Sequence, residues 1–241
     1  MRGGGACPTS DPRSHLPHWV TDVPAAVRRY TEAGFPAHAN EPFDGFRNGA
    51  WRLDERYVEI LTVLDETAYG TGVFSRALKV LRPAIEDVSA RGRGAMTFAV
   101  NVTDAAASAQ RLRLQGHRVE EVVAAPEGRD VSFREVFLPD APFWAPFLIT
   151  YDPPREQIFT EYVQGRFDPG HHDLRAIVIQ TADPEFSARW LATLLGVPSQ
   201  GTEVPLPGGH VCFEEGPEDR IVAVVTTGPE AEIEGLEFRS T

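Results

Sequence analysis

Glu59 is the residue whose surroundings ask most directly for chemistry. It sits in the run Arg56 to Leu64, where alternation sets Tyr57, Glu59, Leu61 and Val63 on one face of a strand and Val58, Ile60, Thr62 and Leu64 on the other. A carboxylate among apolar strand residues is costly to bury alone, so a metal, another cation or solvent has to stand near it. Such a group is a candidate general base. Slightly earlier, Arg47-Asn48 lies in a second strand-like run, Phe46 to Leu53. Arg47 can clamp a carboxylate or phosphate in two-pronged fashion, and Asn48 can orient a carbonyl. A surface turn with a solvated arginine is the plainer reading of the same pair. Trp51, Phe98, Phe133, Phe147 and Tyr151 are strand aromatics expected to line concave sheet faces, although such residues also serve as plain core. The group His171-His172-Asp173 falls in a Gly-, Pro- and His-bearing connector, Tyr162 to Asp173, where solvated loop is the simpler account.

The elements that must hold these residues are announced by a phrase that recurs three times, at intervals of about eighty residues. It runs from Val20-Thr21-Asp22-Val23 to Gly34, from Val102-Thr103-Asp104-Ala105 to Gly116, and more loosely from Gln180-Thr181-Ala182-Asp183 to Gly196. In each copy an apolar run ends in an aspartate that can accept from the free N–H groups of a helix's first turn, and a glycine closes the last turn. Val23, Ala26, Val27 and Tyr30 form the stripe of a helix lying on a sheet. Strand-like runs follow the first two copies, so each reads as a βαβββ unit. The expected fold is α+β: tandem βαβββ modules paired into a cupped half-barrel, with a third, partial βαβ-type module. The expected divisions are a disordered lead-in at 1–13, paired modules at 14–66 and 95–152 within 14–155, a helical insertion at 67–94, and the partial module at 174–228. The insertion carries apolar residues at helical spacing interrupted by Pro83, which predicts a broken helix closing over one end of the first sheet as a lid.

Composition narrows the partners. A net charge of −12 over 241 residues argues against nucleic acid and against anionic lipid, leaving a small molecule. Cys7 and Cys212 match neither a zinc spacing nor a disulfide framework, so two free thiols in a reducing, cytoplasmic setting are expected. No apolar stretch is long enough to span a membrane or to serve as a signal peptide. A monomer or a homodimer both suit internally paired modules.

The stretch from Ser14-His15 through Asp22-Val23 to Gly34-Phe35, then Gly45-Phe46-Arg47-Asn48-Gly49-Ala50 and Tyr57-Val58-Glu59-Ile60-Leu61, resembles the glyoxalase-like domain of the vicinal-oxygen-chelate superfamily. The likeness continues through Phe133 to Tyr151 and into the third copy. The resemblance implies metal ligands on the first and last strands of each unit, the first of them seven residues ahead of the helix-cap aspartate. In this chain those positions are His15 and Glu59. In the second unit they are Thr97 and Thr150, which are poor ligands, and in the third the first is Ala176. One divalent metal ion, or none, is the corresponding cofactor expectation. His15 is equally readable as an edge-strand histidine, and His18 belongs on the opposite face. The resemblance thus implies a lyase or isomerase on a small carbonyl metabolite, in which Glu59 removes a proton next to the carbonyl and Arg47 or a cation stabilises the enolate. The alternative is a non-catalytic cup that sequesters an aromatic or apolar small molecule.

Overall fold

The computed structural model describes residues 15–126, 128 and 130–241. The expected lead-in at 1–13 and Cys7 lie outside the described residues. The first unit is β1 (His15–Trp19), α1 (Val23–Glu32), β2 (Ala37–Ala39), β3 (Phe46–Arg52) and β4 (Tyr57–Val63). It is followed by α2 (Glu66–Tyr69), α3 (Ser75–Ala90) and β5 (Gly94–Ala95). The second unit is β6 (Ala99–Asn101), α4 (Ala105–Leu114), β7 (Glu120–Ala124), β8 (Ser132–Phe137) and β9 (Phe147–Asp152), with α5 (Arg155–Tyr162) after it. The third comprises β10 (Leu174–Thr181), α6 (Pro184–Leu195), β11 (Glu203–Leu206), β12 (Gly209–Glu215), β13 (Arg220–Thr226), β14 (Ala231–Ile233) and β15 (Leu236–Ser240).

The recurring aspartates do what their chemistry predicts. Asp22 accepts from the N–H of Ala25 at 2.7 Å, Asp104 from that of Ala107 at 2.9 Å, and Asp183 from that of Phe186 at 2.9 Å. Each bond satisfies a donor that a helix start leaves open. Gly34 and Gly116 follow their helices at φ of +90° and +91°, where a side chain would be strained. The first sheet has the order β2-β3-β4-β1-β5 and the second β6-β9-β8-β7, and in both the first strand runs parallel to the last of its unit. The class is therefore mixed α+β, as the spacing predicts.

The third sheet, β11-β12-β10-β13-β15-β14, continues past the expected end of the partial module at 228 by adding β14 and β15. It packs on the back of the first unit. Phe238 of β15 meets Phe35 at 4.6 Å, Tyr30 at 5.4 Å and Trp51 at 6.1 Å between ring centroids. Arg56 pins the same junction, donating to Asp173 at 2.9 Å and to the Gly208 carbonyl at 2.9 Å. The buried Glu234 carboxylate receives both Arg29 and Arg93.

The insertion departs from expectation in two ways. Its principal helix, α3, runs unbroken through Pro83. Pro83 and Lys79 are both exposed, so water can satisfy the carbonyl that the missing N–H abandons. The helix also covers both sheets. Ala77, Val80 and Leu81 join Val122, Phe137, Phe147 and Ile149 of the second sheet, while Ile85 and Val88 join Trp19, Leu61 and Val63 of the first. Phe74, just ahead of α3, stacks on Phe133 and stands edge-on to Phe46, bridging the sheets.

Candidate active site

Strand register decides what enters the hollow between the first two units. Ala50 pairs with Glu59, Arg52 with Tyr57, His15 with Tyr57, and His38 with Ala50. Because side chains alternate, His15, His38, Asn48, Arg52, Tyr57 and Glu59 share the concave face. In the second sheet Glu135 pairs with Ile149, Phe133 with Tyr151, and Ala99 with Phe147, which puts Phe133, Glu135, Phe147 and Tyr151 on the facing surface.

Glu59 is held, not loose. Asn48 donates to its Oε1 at 2.8 Å and is itself fixed by Asn40, which donates to the Asn48 oxygen at 2.9 Å. The Glu59 side chain is 21% exposed and lies 3.8 Å from His15 Nε2. Burial raises the Glu59 pKa, opposed by the Asn48 hydrogen bond and the charge of Arg52. Burial, then the charges of Arg155 and Arg52, pulls the His15 imidazole down to about 3. His15 is therefore neutral at physiological pH, and its contact with Glu59 is not an ion pair. The imidazole stacks on Tyr57 at 4.9 Å and meets the edge of Phe147 at 5.5 Å.

Across the hollow stands Glu135, which the sequence reading missed. It is 9% exposed, and one carboxylate oxygen, Oε2, is buried with no hydrogen-bond partner. Burial, then the charge of Glu59, pushes its pKa up to about 8. Tyr69 is raised by burial and by the charges of Glu59 and Glu135. Tyr57 shares a hydrogen bond with Tyr151 and is raised chiefly by burial. The available signal was the alternation Phe133-Arg134-Glu135-Val136-Phe137, which sets one carboxylate between two aromatics on a strand face.

Six sequence candidates are brought together here: His15, Asn48, Glu59, Phe133, Phe147 and Tyr151. Three are not. Arg47 lies one residue out of phase with Asn48, so it leaves the concave face and donates instead to the Asn40 carbonyl at 3.1 Å. Trp51 is equally out of phase and fully buried, packed on Phe35 at 4.8 Å behind the sheet. Phe98 is buried in the helix-side core with Val100 and Leu112. His18 also lies behind the sheet, hydrogen-bonded to the Tyr30 hydroxyl at 2.7 Å.

Whether the implied metal can be held depends on the donor set. His15 and Glu59 supply two donors. Thr97 donates to the Ala145 carbonyl at 2.6 Å, and the Thr150 hydroxyl donates to the Val102 carbonyl and accepts from the N–H of Ala105, outside the hollow. The register instead makes Phe147 the counterpart of Glu59, because Ala99 with Phe147 repeats Pro17 with Glu59. Among the described residues no group of three or more His, Cys, Asp or Glu side chains is arranged to hold a metal ion. This set does not fit a resident divalent ion.

A shallow cleft of about 50 Å³ opens between α3 and the second sheet, lined by Leu81, Ala84, Phe137, Pro142, Phe143 and Phe147 among others. None of its lining residues is charged. Phe147 is its link to His15.

Two βαβββ units closed around a hollow with a polar first wall are the architecture of the vicinal-oxygen-chelate class. The family model of the glyoxalase-like domain matches residues 14–195, and the chain belongs to that family. A hypothetical protein from Staphylococcus aureus is similar over 95% of this chain and 99% of its own, at 13% identity and a TM-score of 0.69. A mutant of 4-hydroxymandelate synthase from Streptomyces coelicolor is similar over 90% of this chain and 71% of its own, at 11% identity and a TM-score of 0.53. Methylmalonyl-CoA epimerase from Mycobacterium tuberculosis matches 57% of this chain and 86% of its own, at 19% identity and a TM-score of 0.41. No curated protein matches by sequence. The first two of these likenesses show the fold. Among the described residues no helix is long and apolar enough to cross a membrane.

Proposed function

We propose that this protein is an enzyme of proton transfer next to a carbonyl, a lyase or isomerase acting on a small metabolite. The observation that carries the reading is Glu59: a carboxylate on the concave face, oriented by Asn48, flanked by a neutral imidazole and opposed by a second carboxyl group. Glu59 takes the proton from the carbon beside the carbonyl, and the electron pair moves into an enolate. Glu135 holds its own proton near neutral pH, and its O–H donates to the enolate oxygen as charge develops there. The proton on Glu59 then returns to carbon, on the same site or a neighbouring one. Asn48 keeps the base aimed, while Phe133, Phe147 and Tyr151 hold the carbon skeleton by contact. Acidic overall charge and sparse cysteine support a cytoplasmic setting.

The test is exchange of carbon-bound protons for deuterium in small oxo compounds, followed by NMR in D2O. Wild-type protein is expected to accelerate exchange and Glu59→Gln to lose that acceleration. Equal rates in the two proteins sink the assignment. The uncharged cleft beneath α3 favours a second reading, in which the protein sequesters an apolar guest without chemistry. Tight binding of such a guest with no exchange of any oxo compound would select it.

A further inference from the structure

Arg52 stands on the concave face at the β3–β4 end of the site, and no described carboxylate lies within ion-pair distance of it. Its guanidinium carbon lies over the Tyr57 ring, 4.3 Å from the centroid, and 5.9 Å from that of Phe167. Its Nε is buried without a hydrogen-bond acceptor. Rings against the guanidinium face hold its plane while leaving the N–H edge to a planar oxyanion. Glu59 acts on Arg52 only through its charge, without an ion pair, and a half-buried guanidinium with no direct partner gains when an anion arrives. Beside it His38 stacks on Phe167 at 3.7 Å, with its Nε2 also buried and without a partner. Two side chains around Phe167 thus each carry a buried polar atom without a partner.

We propose that Arg52, with His38 beside it, is the anion subsite of this cup, and that the substrate is a small carboxylic acid carrying a carbonyl group. Arg52 takes the carboxylate as a two-pronged pair, the part the sequence suggested for Arg47 on the same strand. Ala50, the cross-strand partner of Glu59, is two residues away from Arg52, or roughly 7 Å along the strand. A short oxo acid spans that interval and presents the carbon beside its carbonyl to Glu59. The inference rests on the proton-transfer reading and narrows its substrate class.

Calorimetric titration with glyoxylate, pyruvate, phenylglyoxylate and acetoacetate, each paired with its methyl ester, tests the subsite separately from the chemistry. At least one acid is expected to bind wild-type protein more tightly than its ester by a factor of ten or more. Arg52→Gln should weaken that acid by about 10- to 100-fold, to the level of the ester, the loss expected for a charge-assisted hydrogen-bonded pair. Arg52→Lys should recover part of it, and Arg47→Gln should change nothing. Glu59→Gln, which removes exchange, should bind the acid at least as tightly as wild type. Binding of no acid by wild-type protein, equal affinity for acid and ester, or undiminished acid binding by a folded Arg52→Gln protein would each overturn the subsite. Failure of exchange with intact, Arg52-dependent binding would instead sink the base assignment alone.

Discussion

The first two units share one topology and one helix cap, yet their inner faces differ in kind. The first presents His15, His38, Asn48, Arg52 and Glu59, whereas the second presents Phe133, Phe147 and Tyr151 with Glu135 among them. At the position where the first sheet carries Glu59, the second carries Phe147. Duplication of a scaffold has thus left one wall for polar chemistry and one for apolar contact. A single carboxylate survives on the apolar wall, one strand away from the place that simple repetition would give it.

The sharpest way to break this contrast is Glu59→Gln, which should reduce deuterium exchange by about 10²- to 10⁴-fold, the usual contribution of a positioned base. Phe238→Ala acts behind the polar wall, where the third sheet seals the first. It should destabilise the protein by about 3–5 kcal/mol in urea unfolding, the range for emptying a buried aromatic site. A loss under 1 kcal/mol would show that the third sheet is not integral to the first unit's core. Glu135 sharpens the comparison through pH. If its protonated form donates to the enolate, exchange should decline as pH rises through about 8, and Glu135→Gln should abolish that limb at a lower plateau. Its raised pKa also means that the folded state holds a proton the unfolded chain releases. Stability should therefore fall between the unfolded carboxyl value and about 8 as pH rises, more in wild type than in Glu135→Gln. Asn48→Ala should cost less, about tenfold in exchange, because it frees Glu59 to turn without removing it. Arg47→Ala should be silent in exchange and shift stability by no more than about 0.5 kcal/mol.

What could be read from the chain was whatever local chemistry determines. Asp22, Asp104 and Asp183 announce their helices because capping involves neighbours in sequence. Glu59 is legible because the resemblance puts the last-strand acidic ligand there, and alternation within the strand sets it among apolar residues. Trp51 and Phe98 were assigned to the cup because their residue types suit it, but which face is concave depends on pairing between strands. Once Ala50 pairs with Glu59, Trp51 must point backwards. The same pairing exchanges Arg47 for Arg52. Glu135 is not legible because the resemblance points to Thr150 in the second unit, and only the packing of two sheets brings the charge of Glu59 to bear on Glu135. Pro83 was expected to break its helix, and the exposed setting of that turn explains why it does not.

The segment that carries the chain from one half to the other also plugs the bowl between them. Since α3 belongs to neither sheet, its girth and position can vary without disturbing a strand ladder. Room for the guest is consequently adjustable apart from the reactive groups, and replacements at Ala77, Leu81 or Ala84 offer a dial for the size of molecule admitted.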